Sequence, residues 1–550
     1  MMTKGGLPIE GPEIAGVTFQ PPTDLVRFYH ARIVLTPSGL PYRIARARVD
    51  GEDRTFVPYL DGWAWYPHRD RQEGNEGAPD SVMPAGKEAV LHVKCPWQPG
   101  RSYPIEVEFT ALLQGAEGCG LLQARATAPP EGGFPYPGWQ EHRVLVLVEE
   151  HGLERAAEPV ILFLSDEARI VGSFENEVRI AQLDPATGNV TEVPSQVLYE
   201  KAKASSPSRQ PAVRTCQVAF LADVPAGGRA YYLVAYGNAR AEKPSYASDL
   251  LYSVAEDGTA WVENEFYRVQ LHKPSGQING MVTKRFAATG NGKIGFARQF
   301  PLHYNPDIWV TGRHWTHTRG WAPPPHSELC VGPLAIVTRR WGALPKAPEV
   351  EVNVTYSFFS KAPYVLVDST VDVVKDVVAN ALRNDVAVVT LPEQIDHVGW
   401  KDPGGTVHYK PAEADRHRTH GMMGTTSSEA PYVCLVRQAQ GWGLAGIQLQ
   451  RFYGTRAGAP AVLVKNHTSL ADYGWGFCYW SRVLAHPWGD YQPDRPNILN
   501  AGTFYCTRAA YCPFPLREGT EPQQRLAYVE RLGRLLRSPL RIDHQGAGPW

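Results

Sequence analysis

From Glu351 to Val373 apolar and polar residues alternate almost without interruption. In EVNVTYSFF, Val352, Val354, Tyr356 and Phe358 fall on one side, and Glu351, Asn353, Thr355 and Ser357 on the other. After SKAP the pattern resumes, with Val365, Val367, Val371 and Val373 in phase. A period of two means side chains on opposite faces of an extended strand, so this stretch predicts an antiparallel hairpin with one face buried.

The same reading recurs along the chain. FYHARIVL, EAVLHVKC and SYPIEVEFTALL predict strands of a small first sandwich, closed by the proline-rich connector APPEGGFPYPGW. A second set follows: HRVLVLVE, EPVILFL, VPSQVLYE, TCQVAFLADV and AYYLVAYG. The wholly apolar VILFL predicts a strand covered on both faces. The third and largest unit opens at WVENEFYRVQL, and its strand signals run through to GTFYCTRAAYC. Only the end reads as helix. Thr520 and Gln523 fit a capping box, and Leu526, Val529, Leu532 and Leu536 form one apolar stripe. The expected fold is all-β: sandwich domains at 1–138 and 139–254, then a β-supersandwich at 255–550 that carries the C-terminal helix.

Composition agrees with strands joined by turns, since 51 glycines and 47 prolines accompany 25 tyrosines and 15 tryptophans. Fifty-six acidic residues against 55 basic ones leave no electrostatic case for a nucleic-acid or membrane partner. No run approaches the roughly 18 apolar residues of a membrane span. The N-terminal MMTKGGLPIEGPEIAG has no apolar core of a signal peptide, so the expected location is cytoplasmic, or secreted if the chain has been trimmed. The eight cysteines form no zinc-binding pattern and read as buried thiols.

One stretch stands apart from this apolar logic. HYNPDIWVTGRHWTHTRGW, residues 303–321, holds three histidines, two arginines and three tryptophans. As a strand, RHWTHTR would put Arg313, Trp315, His317 and Arg319 on one face, and His314, Thr316 and Thr318 on the other. Two guanidiniums, an indole and an imidazole make a poor core and a good surface for a sugar acid. Taken singly, each histidine also fits a structural or solvated role.

VPSQ, LADVPAGGRAYYLV and above all VENEFYRVQL with the following SGQI resemble the C-terminal all-β portion of family 38 α-mannosidases. That resemblance implies a galactose-mutarotase-like supersandwich, a fold shared with polysaccharide lyases and some isomerases. The mannosidase catalytic barrel has no counterpart here, so no mannosidase catalytic residue carries over.

Chemistry would then have to come from the supersandwich. Elimination on a uronic acid needs a cation or amide at the carboxylate, a base for the adjacent proton and an acid for the leaving oxygen. For the first role the candidates are Arg313, Arg319, Arg416 and Asn384, and for the base His317, then His314, with His417 and His420 as further histidines. Tyr304 and Tyr473 are the candidate acids, with Tyr479 as a third; Trp315 and Trp475 offer sugar platforms, as do Trp63, Trp65 and Trp480. The expected function is a carbohydrate-active enzyme, a lyase acting on a uronic-acid-containing glycan or oligosaccharide. Hydrolysis would use a carboxylate pair drawn from Asp307, Glu328, Asp385, Glu393 and Asp396. An epimerase, or a non-catalytic sugar-binding or assembly subunit, are the other readings. No cofactor is required; calcium is compatible with scattered carboxylates, and a homo-oligomer with the composition.

Overall fold

The computed structural model describes residues 13–19, 30–35, 42–53, 56–60, 82–83, 89–94, 101–111, 139, 141–166, 171–184, 189–203, 213–284, 293–294, 306–313, 315–390, 395–412, 421–427, 430–455, 467–472, 477–483 and 497–545. The chain is all-β and multidomain, built from antiparallel sheets with few helices. It divides into two compact units, residues 1–247 with 539–550, and residues 248–538.

Among the described residues the first unit contains four sheets. Glu13–Phe19, Tyr103–Ala111, Tyr42–Val49 and Glu52–Asp53 make one, with Val82–Met83 paired to Tyr42–Val49. His30–Leu35, Ala89–Lys94 and Phe56–Leu60 make the second. Arg155–Asp166, Val213–Val224 and Ser195–Lys203 make a three-stranded sheet that shares a core with the five-stranded sheet around Glu141–Val148. In VILFL, Val160, Leu162 and Leu164 are buried, but Ile161 is 37% exposed. The strand is therefore covered on one face, where Val160, Leu162 and Leu164 meet the five-stranded sheet in a shared core.

The resembling LADVPAGGRAYYLV carries the chain from Val213–Val224 of the three-stranded sheet to Arg229–Tyr236 of the five-stranded one, and Glu149 fastens the turn between them. The buried Glu149 carboxylate accepts hydrogen bonds from the backbone N–H groups of Gly227, Leu153 and His151, and from Arg155. Burial alone would raise its pKa, but these donors outweigh it and hold the carboxyl at about 2.

The second unit is a sandwich of a nine-stranded and a seven-stranded sheet, with a five-stranded sheet at its start. The expected hairpin is its centre: Ala347–Phe359 pairs with Val365–Val373 in the nine-stranded sheet. Val352, Val354, Tyr356, Phe358, Val365 and Val367 all enter one core. Ile308, Leu382 and Trp480 of the seven-stranded sheet complete that core, together with Val262, Tyr267 and Val269 of the five-stranded one. Burying each large apolar side chain contributes about 1.5–3 kcal/mol.

VENEFYRVQL has a structural explanation. The Asn264 side chain donates to the carbonyls of Phe359 and Ala362 at 3.0 and 2.8 Å. Its oxygen accepts from the N–H groups of Phe266 and Tyr267. One buried amide thus ties the turn before Tyr267–Leu271 to the turn of the central hairpin. Asn264→Ala would strand two donors and two acceptors, and should lower stability by about 2 kcal/mol. Denaturant unfolding checks this; a loss under about 0.5 kcal/mol would reject it.

The helical end departs from expectation in two ways. The capping box is formed by Glu521 and Gln524, one residue beyond the expected pair, and the helix is interrupted at Leu526 before Ala527–Arg537. Leu526, Val529 and Leu532 are buried as the stripe implied. The chain then continues into a strand, Arg541–Gln545, paired with Glu141–Val148 of the first unit's five-stranded sheet.

Candidate functional site

Asp307–Val310 and Trp315–His317 form a hairpin at one edge of the seven-stranded sheet. Its turn requires a positive φ, and Gly312 supplies it at 74°. Alternation holds across this short strand. Thr316 is buried, while Trp315 and His317 are half-buried on the other face. Register then places His317, Asp307 and Arg383 in one row across three strands.

Within that row Arg383 grips Asp307 through two hydrogen bonds of 3.0 and 2.5 Å. The Arg383 guanidinium also lies over the Trp315 ring, 4.1 Å from its centroid. Trp309 and Trp315 pack with centroids 5.6 Å apart. Burial pushes the His317 imidazole pKa below its usual value; Asp307 opposes this, and the charges of Arg319 and Arg383 add to it. His317 is therefore neutral at pH 7, the state in which an imidazole can take a proton.

The chain turns after His317 into a short 3-10 helix, Thr318–Gly320. Thr318 is buried and donates to Gln277 Oε1 at 3.4 Å, which seats this turn on the His272–Gln277 connection. Arg319 beside it is half-buried, and its guanidinium has no carboxylate partner among the described residues. Burial lowers its pKa. His272 Nδ1 lies 2.9 Å from Ser275 Oγ, and the Ser275 carbonyl accepts from Arg340 Nη1 at 2.7 Å. Arg340 comes from the neighbouring nine-stranded sheet, on Ala335–Leu344, and lies over the Tyr356 ring at 4.6 Å.

The expected four-residue face is thus only partly assembled. Trp315 and His317 share it, and Arg319 follows from the 3-10 turn. Arg313 leaves it: the residue lies in the hairpin turn, exposed, and forks onto Glu349 with two bonds of 3.0 Å. Asn384 is a correction of place. It is 1% exposed in the core, donating to Ser369 Oγ at 2.6 Å and to Thr507 Oγ1. Alternation from Leu382 points it inward, away from any substrate. Trp480 is likewise fully buried and serves the core, not as a sugar platform.

Tyr304, His314, Arg416, His417, His420, Tyr473 and Trp475 lie outside the described residues, as do Trp63, Trp65 and Glu393. Of the carboxylates a hydrolase would need, Asp307 is committed to Arg383 and Glu328 approaches Arg339 at 3.5 Å. Asp396 accepts from the Gln438 N–H and contacts His397. Among the described residues no three His, Cys, Asp or Glu side chains converge as a metal site.

Sequence reading missed Arg383, Arg340 and His272. A signal existed for Arg340, which breaks the inward series of its strand after Ile336 and Thr338.

No family model and no curated protein matches this chain. Among solved structures, an α-mannosidase from Enterococcus faecalis V583 matches at 13% identity and TM-score 0.42, over 75% of this chain and 47% of that one. A glycosyl hydrolase family 38 protein from Enterococcus faecalis matches at 12% and 0.40, over 76% and 48%. A galactose mutarotase related enzyme from Lactobacillus acidophilus matches at 10% and 0.26, over 48% and 99%. The chain spans about half the length of the two former proteins. Both groups named by the VENEFYRVQL resemblance are among the matches.

Proposed function

We propose that this protein is carbohydrate-active and that the site around His317 cleaves a uronic-acid-containing glycan or oligosaccharide by β-elimination. The observation that carries this reading is a neutral, half-buried imidazole followed two residues later by a guanidinium with no carboxylate partner among the described residues. Arg319 would hold the uronate carboxylate, which makes the adjacent C5 proton more acidic. His317 removes that proton, its electron pair forms the C4–C5 double bond, and the C4–O bond breaks. An acid returns a proton to the leaving oxygen; Tyr304 and Tyr473 are the side chains proposed for that step. Trp315 and Trp309 give the apolar surface on which a sugar ring can rest.

A panel of uronic-acid glycans followed by ultraviolet absorbance tests the reaction class. Elimination leaves an unsaturated uronide that absorbs, and hydrolysis does not. Absorbance rising with new chain ends is the expected result. New reducing ends without absorbance would replace the proposal by hydrolysis. Binding with neither signal would replace it by a sugar-binding subunit.

A further inference from the structure

Arg340 is a buried charge of the second unit. It is 3% exposed, and among the described residues its Nε and Nη2 have no hydrogen-bond partner and no carboxylate pairs with it. Its Nη1 donates to the Ser275 carbonyl, and the guanidinium also interacts with the Tyr356 hydroxyl. A buried, uncompensated cation costs several kcal/mol, and fold stability alone gives no reason to keep one. The Tyr356 ring beneath it offsets part of that cost. The His272–Gln277 turn closes over its stem so tightly that a Cβ at Gly276 would lie 2.9 Å from Arg340 Cδ.

That turn gathers more positive charge. His272 bonds to Ser275, whose carbonyl holds Arg340. Gln277 accepts from Thr318, which brings Arg319 to the same turn. Burial, and then the charges of Arg319 and Arg340, hold the His272 pKa below its usual value. Arg340 and the segment that carries Arg319 thus share one turn, and among the described residues no carboxylate pairs with either, since Asp307 already belongs to Arg383.

We infer that Arg340, Arg319 and the His272–Gln277 turn form one oxyanion subsite, and that its ligand is the carboxylate of a sugar acid. This rests on the reading of the site given above and deepens it: Arg340 is the residue that sets preference for acidic over neutral sugars. Forked N–H groups match a carboxylate, and an anion entering here would pair the orphaned Arg340 nitrogens.

Calorimetric titration with galacturonate, glucuronate, galactose, glucose and inorganic phosphate tests this without any turnover. The intact protein should bind at least one uronate about tenfold or more tighter than its neutral counterpart. Arg340→Met and Arg319→Gln should each erase that preference. Arg340→Lys, which keeps the charge and loses the fork, should recover only part of it. If Arg340→Met does not fold, as judged by its circular dichroism, the Arg319→Gln and Arg340→Lys titrations decide. Equal affinity for acidic and neutral sugars, unchanged preference in the folded variants, or binding of phosphate but of neither uronate would each overturn the subsite. Uronate selectivity lost in these variants, with no absorbance from any glycan, would leave the subsite standing and remove the elimination chemistry. Elimination activity with unchanged selectivity in the variants would do the reverse.

Discussion

His317→Ala should lower turnover on an eliminated glycan by about 100-fold or more, the usual scale for losing a general base, and about 2.7 kcal/mol of barrier. The half-buried imidazole contributes little to the core, so the variant should fold as the wild type does. The pH profile gives an independent check. A base works only when unprotonated, so kcat/KM must fall as pH drops through the pKa of His317. Burial, with Arg319 and Arg383, depresses that pKa below the ordinary 6.5 against the pull of Asp307. The acid limb should therefore have its midpoint below pH 6.5 and should disappear in the alanine variant. Full activity in folded His317→Ala would remove the assignment. An acid limb centred well above 6.5 would show that another group is the base.

Gly446→Ala should be the most destabilising single-methyl change in the second unit. Gly446 lies on Trp442–Thr455 of the nine-stranded sheet, and Trp480 reaches it from Phe477–Val483 of the facing sheet. A Cβ at 446 would fall 1.2 Å from Trp480 Cη2, a complete overlap. Trp480 is wholly buried and packed on Tyr511, with ring centroids 5.7 Å apart, so the indole has nowhere to retreat. Overpacking of this kind costs about 3 kcal/mol or more. For a unit of this size that is a fall in Tm of roughly 6–12 °C. Trp480→Leu makes room for the methyl, so the double variant should be more stable than the sum of the two single effects. Strict additivity, or a loss below about 1 kcal/mol for Gly446→Ala, would mean that the two sheets are not held at this distance by Gly446.

Strand positions were legible because a period of two is a local property: each residue's face follows from its neighbours in sequence. Val352, Val354, Tyr356 and Phe358 needed no partner to be assigned inward, and all four enter the core, although Asn353 between them is buried as well. The Leu526, Val529 and Leu532 stripe was legible for the same reason, at the helical period. The inward or outward sense of VILFL was not. Whether Ile161 meets a second layer depends on which elements pack over its sheet, and that is settled by contacts at long range.

The site divides in the same way. Sequence alone singled out 303–321 as chemically unlike the rest and placed His317 and Trp315 on one face. It could not know that Arg313 would be taken by Glu349, 36 residues further on. Nor could it see that Asn384 would be drawn inward to Ser369 and Thr507, 15 and 123 residues away. Arg383 over Trp315, and Arg340 beneath the His272–Gln277 turn, are likewise products of strand register and sheet packing. Composition and periodicity report what a segment can bury, and so determined the elements and the stretch worth examining. Which charges are neutralised depends on contacts between distant segments, and only the tertiary structure decided that.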